Sequence, residues 1–298
     1  MQEKRYLRAE EQAKIGLGQP LVDSRVSTVA GKTKESAPRR TRESRRRRNF
    51  GFVVTSLVLR DFRVRYRNMS LGILWSLANP LIMMSVLTFV FSKVFATTTV
   101  KFYPAFVLIG LIPYNFFGLA WSSSTVSLIY NAGLIKRVRM VREIIPVASV
   151  LAQSIHFFIQ IALLLIFVLV LGVPVTRLWL WVLPFVVIEI MSVCGLALLC
   201  SALDVYVRDT QYIVDSAVTV LFWLTPVFYP AEMIPARYRP LYELNPIASV
   251  VIGLRNVLLD ARAPATHTVS TGLAVSIVIL SGGLIVFGTL KGRFGDFL

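Results

Sequence analysis

Residues 144–171, IIPVASVLAQSIHFFIQIALLLIFVLVL, run for 28 positions with no Asp, Glu, Lys or Arg. A helix of that length rises about 42 Å, more than the ~30 Å hydrocarbon layer of a bilayer, so the stretch reads as a membrane crossing. Working outward, the same criterion finds charge-poor apolar runs near 72–94 and 103–126 before it, and near 178–203, 213–229 and 267–290 after it. The expected fold class is an all-α integral membrane protein with six transmembrane helices per chain. Composition agrees, since 55% of the 298 residues are hydrophobic, above the roughly 45–50% of soluble domains.

Charge supplies the orientation. The chain carries 32 Lys and Arg against 16 Asp and Glu, and 14 of the cations fall in residues 1–48. Residues 1–49, ending in Arg45-Arg46-Arg47-Arg48, combine low hydrophobicity with scattered Gly, Pro and Ser, which predicts a disordered tail. They hold no apolar run of the kind a secretory signal needs, so the tail is expected in the cytoplasm. There its charge attracts anionic lipid headgroups, a commoner use than nucleic-acid binding for a basic block beside membrane sequence. With the tail inside and six crossings, 25 of the 32 cations lie on the cytoplasmic side and 7 on the other. The positive-inside rule then places both termini in the cytoplasm.

Two segments depart from simple crossings. Residues 50–68 put Ser56, Arg60, Arg63 and Arg67 on one helical face and Val54, Val58 and Phe62 on the other, a pattern that predicts an amphipathic helix lying in the interface plane. Between spans five and six, Pro226, Pro230, Pro235, Pro240 and Pro246 forbid one continuous helix. Short broken or re-entrant helices are expected there, because non-helical backbone at membrane depth is tolerated only where protein covers it or it lines a cavity.

Several chemistries are excluded or disfavoured. Cys194 and Cys200 are six residues apart in one apolar stretch, so on a helix they point about 120° apart and cannot bridge. His156 and His267 are too few and too distant for a zinc motif, and no metal site is expected. No G-x-x-x-x-G-K-[ST] run is present, so the chain is not expected to hydrolyse ATP itself. Asp204, Asp209 and Asp215 raise a rival reading, a membrane enzyme holding Mg²⁺ for lipid-phosphate sugar transfer.

Four blocks line up with one family. Arg60-Asp61-Phe62-Arg63-Val64-Arg65-Tyr66-Arg67, followed by Ser70-Leu71-Gly72 and Asn79-Pro80, resembles the start of the membrane subunit of bacterial polysaccharide-exporting ABC transporters, the type 2 permeases of O-antigen, capsule and teichoic-acid export. Asn131-Ala132-Gly133-Leu134-Ile135-Lys136 with Arg142-Glu143 and Pro146 is similar to that family's cytoplasmic loop between spans two and three. Arg208-Asp209 leading to Thr225-Pro226-Val227-Phe228-Tyr229-Pro230 resembles its fifth span, and Asn245-Pro246 with Arg255 the segment after it. The likeness covers about 55–298 and omits the tail; Met140-Val141 stands where many relatives have an aromatic-proline pair.

The resemblance implies a permease domain over 50–298 in a bacterial inner membrane, a homodimer, and two copies of a separate ATPase subunit carrying ATP and Mg²⁺, with no cofactor on this chain. The implied cargo is an undecaprenyl-diphosphate-linked polysaccharide. Asn131, Leu134, Ile135, Lys136, Arg137, Arg142 and Glu143 become candidates for ATPase coupling, and Arg60, Arg63, Arg65, Arg67, Leu71 and Gly72 for the substrate entrance. Tyr114, Phe117, Phe222 and Tyr229 are candidates to line the channel, since ring faces offer apolar surface to sugars. Gln153, His156 and Gln160 share one helical face at a depth matching Glu189, which predicts an intramembrane polar contact among them. A drug or lipid exporter on the same scaffold is the nearest alternative, and the Arg-Asp/Leu-Gly block argues against it.

Overall fold

The computed structural model describes residues 51, 54–63, 74–95, 100–137 and 141–297, and every regular element among them is helical. The tail 1–49 and the entrance candidates Arg65, Arg67, Leu71 and Gly72 lie outside the described residues. A first helix, α1, covers 54–63; α2, Leu74–Phe89, continues through a π-helical turn, Val90–Val94. Next come α3, Tyr103–Thr125, the short α4, Ser127–Tyr130, and α5, Ala132–Arg137. α6 is Ile144–Val170, and a 3₁₀ turn, Arg177–Trp181, leads into α7, Val182–Tyr206. α8 is Thr210–Leu224, α9 Arg239–Glu243, α10 Pro246–Leu258, α11 Thr266–Leu290 and α12 Phe294–Phe297.

Five stretches are long and apolar enough to cross a membrane: Leu77–Val94, Tyr103–Thr125, Ile144–Val170, Arg177–Tyr206 and Thr266–Arg293. They coincide with five of the six expected spans. The expected fifth span is different. Its helix, α8, has 15 residues, about 22 Å of rise, and residues 225–229 are not helical. Thr225 is extended, with φ −85° and ψ 137°, because the ring of Pro226 clashes with a helical residue before it.

Local chemistry ends the other helices. α6 closes in a Schellman motif: Gly172 is left-handed at φ 78°, Gly172 N–H bonds the Leu169 carbonyl at 2.9 Å, and Val173 N–H that of Val168 at 3.4 Å. α10 begins where the Asn245 side chain accepts from Ile247 N–H at 3.1 Å, with Pro246 next in the first turn.

α3 is the central post, enclosed by α2, α6, α7, α8 and α10. α7 and α11 form the most extensive pairing. Lipid tails are as apolar as Leu, so tight packing and hydrogen bonds must hold such helices together. Here Gly195 and Gly283 let the backbones touch: a Cβ on Gly195 would stand 2.6 Å from Leu280 N. The Ser192 and Ser276 hydroxyls bond across the same seam at 2.7 Å.

A second apolar cluster lies at one end of the bundle. It joins Leu57 of α1, Leu128 of α4, Ile145 of α6, Val205 of α7, Phe287 of α11 and Phe294 of α12. The basic loop after α5 and the last turns of the chain therefore meet at the same end, called the basic end below.

Candidate functional site

At the opposite, proline-rich end, the break after α8 exposes carbonyls that no helix can satisfy. Arg255, buried in the last turn of α10, donates to the Val227 carbonyl at 2.6 Å and to that of Tyr229 at 3.4 Å. The Tyr103 hydroxyl takes the intervening Phe228 carbonyl at 2.8 Å. The guanidinium also lies 3.4 Å from the Phe106 ring centroid and bonds the Phe106 carbonyl at 3.3 Å. Asn245 Nδ2 reaches Thr225 Oγ1 at 3.0 Å, so the Asn-Pro block and the Thr-Pro block are held together. Three carbonyls in a row thus find side-chain donors, as irregular backbone in an apolar setting requires. Sequence reasoning placed Arg255 in a motif but missed this role and missed Tyr103; a lone arginine in the apolar run Pro246–Leu258 was the available signal.

Three of the four expected channel aromatics, Tyr114, Phe117 and Phe222, form one packed group. Tyr114 and Phe117 are buried, and the Tyr114 hydroxyl donates to the Val218 carbonyl of α8. The Phe222 ring meets Tyr114 edge-on at 5.3 Å. These three pack α3 against α8; Phe222 is half-buried, and Phe117 lines a cavity of about 410 Å³ with Trp121. Tyr229 stands apart, half-buried, with its hydroxyl 3.4 Å from that of Tyr242, lining a cavity of about 330 Å³ with Met233 and Tyr238.

At the basic end, the coupling candidates divide. Leu134 and Ile135 are half-buried and pack inward on the cluster around Leu128 and Ile145, whereas Lys136 is exposed. Asn131 Oδ1 accepts from Arg60 Nη2 at 2.7 Å, tying α1 to the turn before α5. Glu143 pairs with Lys291 at 2.6 Å. Arg142 donates to the Lys291 carbonyl and lies 5.8 Å from the Phe294 ring centroid. The Tyr206 hydroxyl bonds the Leu290 carbonyl at 2.8 Å. Lys291 and Phe294 were not singled out in sequence, because a partner 148 residues away leaves no local pattern.

Among the entrance candidates, Arg60 is committed. Its Nε and Nη2 bond Asp61 Oδ1 at 3.0 and 2.8 Å, in addition to Asn131. Arg63 is exposed and lies at the end of α1.

The helices that carry the polar stripe and Glu189, α6 and α7, pack against each other. Glu189 is fully buried in α7, and neither carboxylate oxygen takes a hydrogen bond from a described residue. Gln153 donates to Ser123 of α3 at 3.2 Å, and His156 stacks on Phe62 of α1 with centroids 5.3 Å apart. Gln160 is buried farther along α6. Gln153 and His156 open onto a cavity of about 720 Å³ between α1, α3, α6 and α8 at the basic end.

The three aspartates of the rival reading do not converge. Asp204 is buried near the end of α7, Asp209 stands exposed before α8, and Asp215 accepts from Ser122 at 2.7 Å. No group of three or more His, Cys, Asp or Glu able to hold a metal occurs among the described residues.

Comparison with known proteins matches residues 53–259 to the ABC-2 type transporter family. The chain is 30% identical over 254 residues to the O-antigen export system permease protein RfbA of Klebsiella pneumoniae, covering 84% of this chain and 97% of that one. It is 29% identical over 248 residues to the RfbA protein of Myxococcus xanthus, covering 82% and 94%. To the polysialic acid transport protein KpsM of Escherichia coli it is 23% identical over 243 residues, covering 79% and 92%. Long apolar helices, a buried break held by side-chain donors and a basic end closed by ion pairs are thus the parts of a membrane permease, and the chain belongs to the ABC-2 type transporter family.

Proposed function

We propose that this chain is the membrane permease of an ABC exporter that carries a lipid-linked polysaccharide across the bacterial inner membrane, driven by a separate ATPase subunit. The observation that carries this reading is the likeness to O-antigen export permeases over 84% of the chain. In this reading the permease works as a homodimer with two ATPase subunits. Each chain crosses six times, α8 and the bent, non-helical segment 225–229 together making the fifth crossing and α9 and α10 the re-entrant part. α1 lies along the inner surface, and the basic end and both termini face the cytoplasm. This orientation is favoured because Arg142 and Lys291 meet at one end of the bundle.

Closure of the ATPases is delivered through 131–143, with Lys136 as the exposed contact and Leu134 and Ile135 anchoring α5 to the bundle. Glu143 and Arg142 pass the push to the end of α11, so the spans move as a body. The anionic cargo is an undecaprenyl-diphosphate-linked glycan such as O-antigen, and the arginines of 60–67 and the basic tail draw anionic groups to the surface. Sealed vesicles holding the permease with its ATPase test this: ATP should bring a fluorescently tagged lipid-linked glycan to the face distal to the ATPase. Glycan that stays on the loading face despite hydrolysis would overturn the reading.

A further inference from the structure

The cavity at the basic end is built for an uncharged polyol, not for the diphosphate. It encloses about 720 Å³, within the ~300–1,000 Å³ range of small-ligand sites. It reaches from Asn131, before α5, to His156, 12 residues into α6, about 18 Å along that helix. Polar side chains at such depth are costly against lipid and belong in a cavity.

Its charge decides the ligand class. Among the described lining residues one arginine, Arg60, faces two aspartates, Asp61 and Asp215. The Arg60 guanidinium is already neutralised by Asp61 and bonded to Asn131. The Asp215 carboxylate accepts from the Ser122 hydroxyl, and no cation among the described residues pairs with it. Among the described residues, a diphosphate seated here would meet a lining with one more carboxylate than cation. Hydroxyl groups would meet partners of their own kind: a sugar O–H both donates and accepts, as do the Ser122 and Ser123 hydroxyls and the Gln153 and Gln211 amides beside it. The Tyr130 ring, 80% exposed at the rim, offers a flat apolar face to sugar C–H groups.

We propose that this cavity binds the sugar next to the diphosphate of the cargo, with Asp215 and Gln153 bonding its hydroxyls and Tyr130 stacking on its ring. The inference rests on the export reading and deepens it: the diphosphate remains outside the cavity while the first sugar is read within it.

The test uses the full chain in nanodiscs with two probes, undecaprenyl diphosphate and the same lipid carrying one N-acetylglucosamine, binding being followed by native mass spectrometry. The wild type should bind the glycosylated lipid more tightly. Asp215→Asn, Gln153→Ala and Tyr130→Ala should each cut that preference by about three- to tenfold, the scale of one lost hydrogen bond or ring contact, and leave the bare lipid unchanged. Tyr130 is exposed, so its variant is the control for folding. Equal binding of both lipids by the wild type overturns the cavity assignment alone, as does an equal loss for the bare lipid in the variants. Binding of neither lipid removes the export reading, and this inference with it.

Discussion

The Arg255 guanidinium donates to the Val227 carbonyl at 2.6 Å, across 28 residues of chain, and this contact holds the proline-broken backbone against α3. Arginine is always protonated and carries five donors in a rigid fork, so one side chain serves carbonyls of Val227, Tyr229 and Phe106 together.

Arg255→Met should therefore strand buried carbonyls at about 1–3 kcal/mol each. A fall in thermal stability of the purified permease is expected, well beyond that of Tyr103→Phe, which frees only the Phe228 carbonyl. Arg255→Lys should lie between them, because a single ammonium cannot reach every acceptor. Equal midpoints for the wild type and Arg255→Met in a melting assay would contradict the clamp.

Glycine contact at the α7–α11 seam gives a second ordering. Gly195→Leu must push the helices apart, since even a Cβ there would meet the Leu280 backbone at 2.6 Å, and overpacking of this kind costs about 1–3 kcal/mol or more. Ser276→Ala removes the bond to Ser192, worth about 0.6–2 kcal/mol between membrane helices, together with the hydroxyl's bond to the Gly272 carbonyl of its own helix. Folded yield should fall in the order wild type, Ser276→Ala, Gly195→Leu; a Gly195→Leu chain as abundant as the wild type would show that the seam is loose.

How much of this was legible in the sequence follows from what is local. The run at 144–171 and its helix, Ile144–Val170, nearly coincide, because length and apolarity are properties of the segment itself. In the fifth expected span the helix stops at Leu224, five residues before 229, because Pro226 breaks it while apolarity continues through Val227 and Phe228. By contrast, Glu143 and Lys291, or Ser122 and Asp215, carry no mark of their pairing, since the fold alone brings them together. Equal helical depth suggested Glu189 for the stripe on α6, yet depth says nothing about the direction a side chain faces, so the bond from Gln153 to Ser123 of α3 was not legible in it.

Glu143 and Lys291 are partly exposed, so their ion pair should contribute under about 1 kcal/mol to stability. Its expected use is mechanical. Glu143→Lys and Lys291→Glu should each lower glycan delivered per ATP by several-fold with little change in melting temperature, and the double exchange should recover most of the loss. Singles that transport normally would remove the pair from the coupling route.

Lys136 and Leu134 should separate on α5. Lys136→Glu, on the exposed face, is expected to weaken ATPase association by about tenfold, or ~1.4 kcal/mol, without altering the melting temperature. Leu134→Asp places a charge against the apolar cluster at the basic end and should destabilise the permease itself. Co-purification and melting curves on both variants check the division; the reverse assignment would mean that Leu134 faces the partner.

The central claim is that this chain turns another subunit's ATP hydrolysis into glycan movement. The most direct measurement is ATPase turnover in nanodiscs by the chain alone, by the partner ATPase alone and by their complex, with and without undecaprenyl-diphosphate-linked glycan. The account predicts no turnover by the chain alone and turnover in the complex that responds to the glycan. A chain that assembles with no ATPase, or a complex whose turnover ignores the glycan at every concentration, would contradict it.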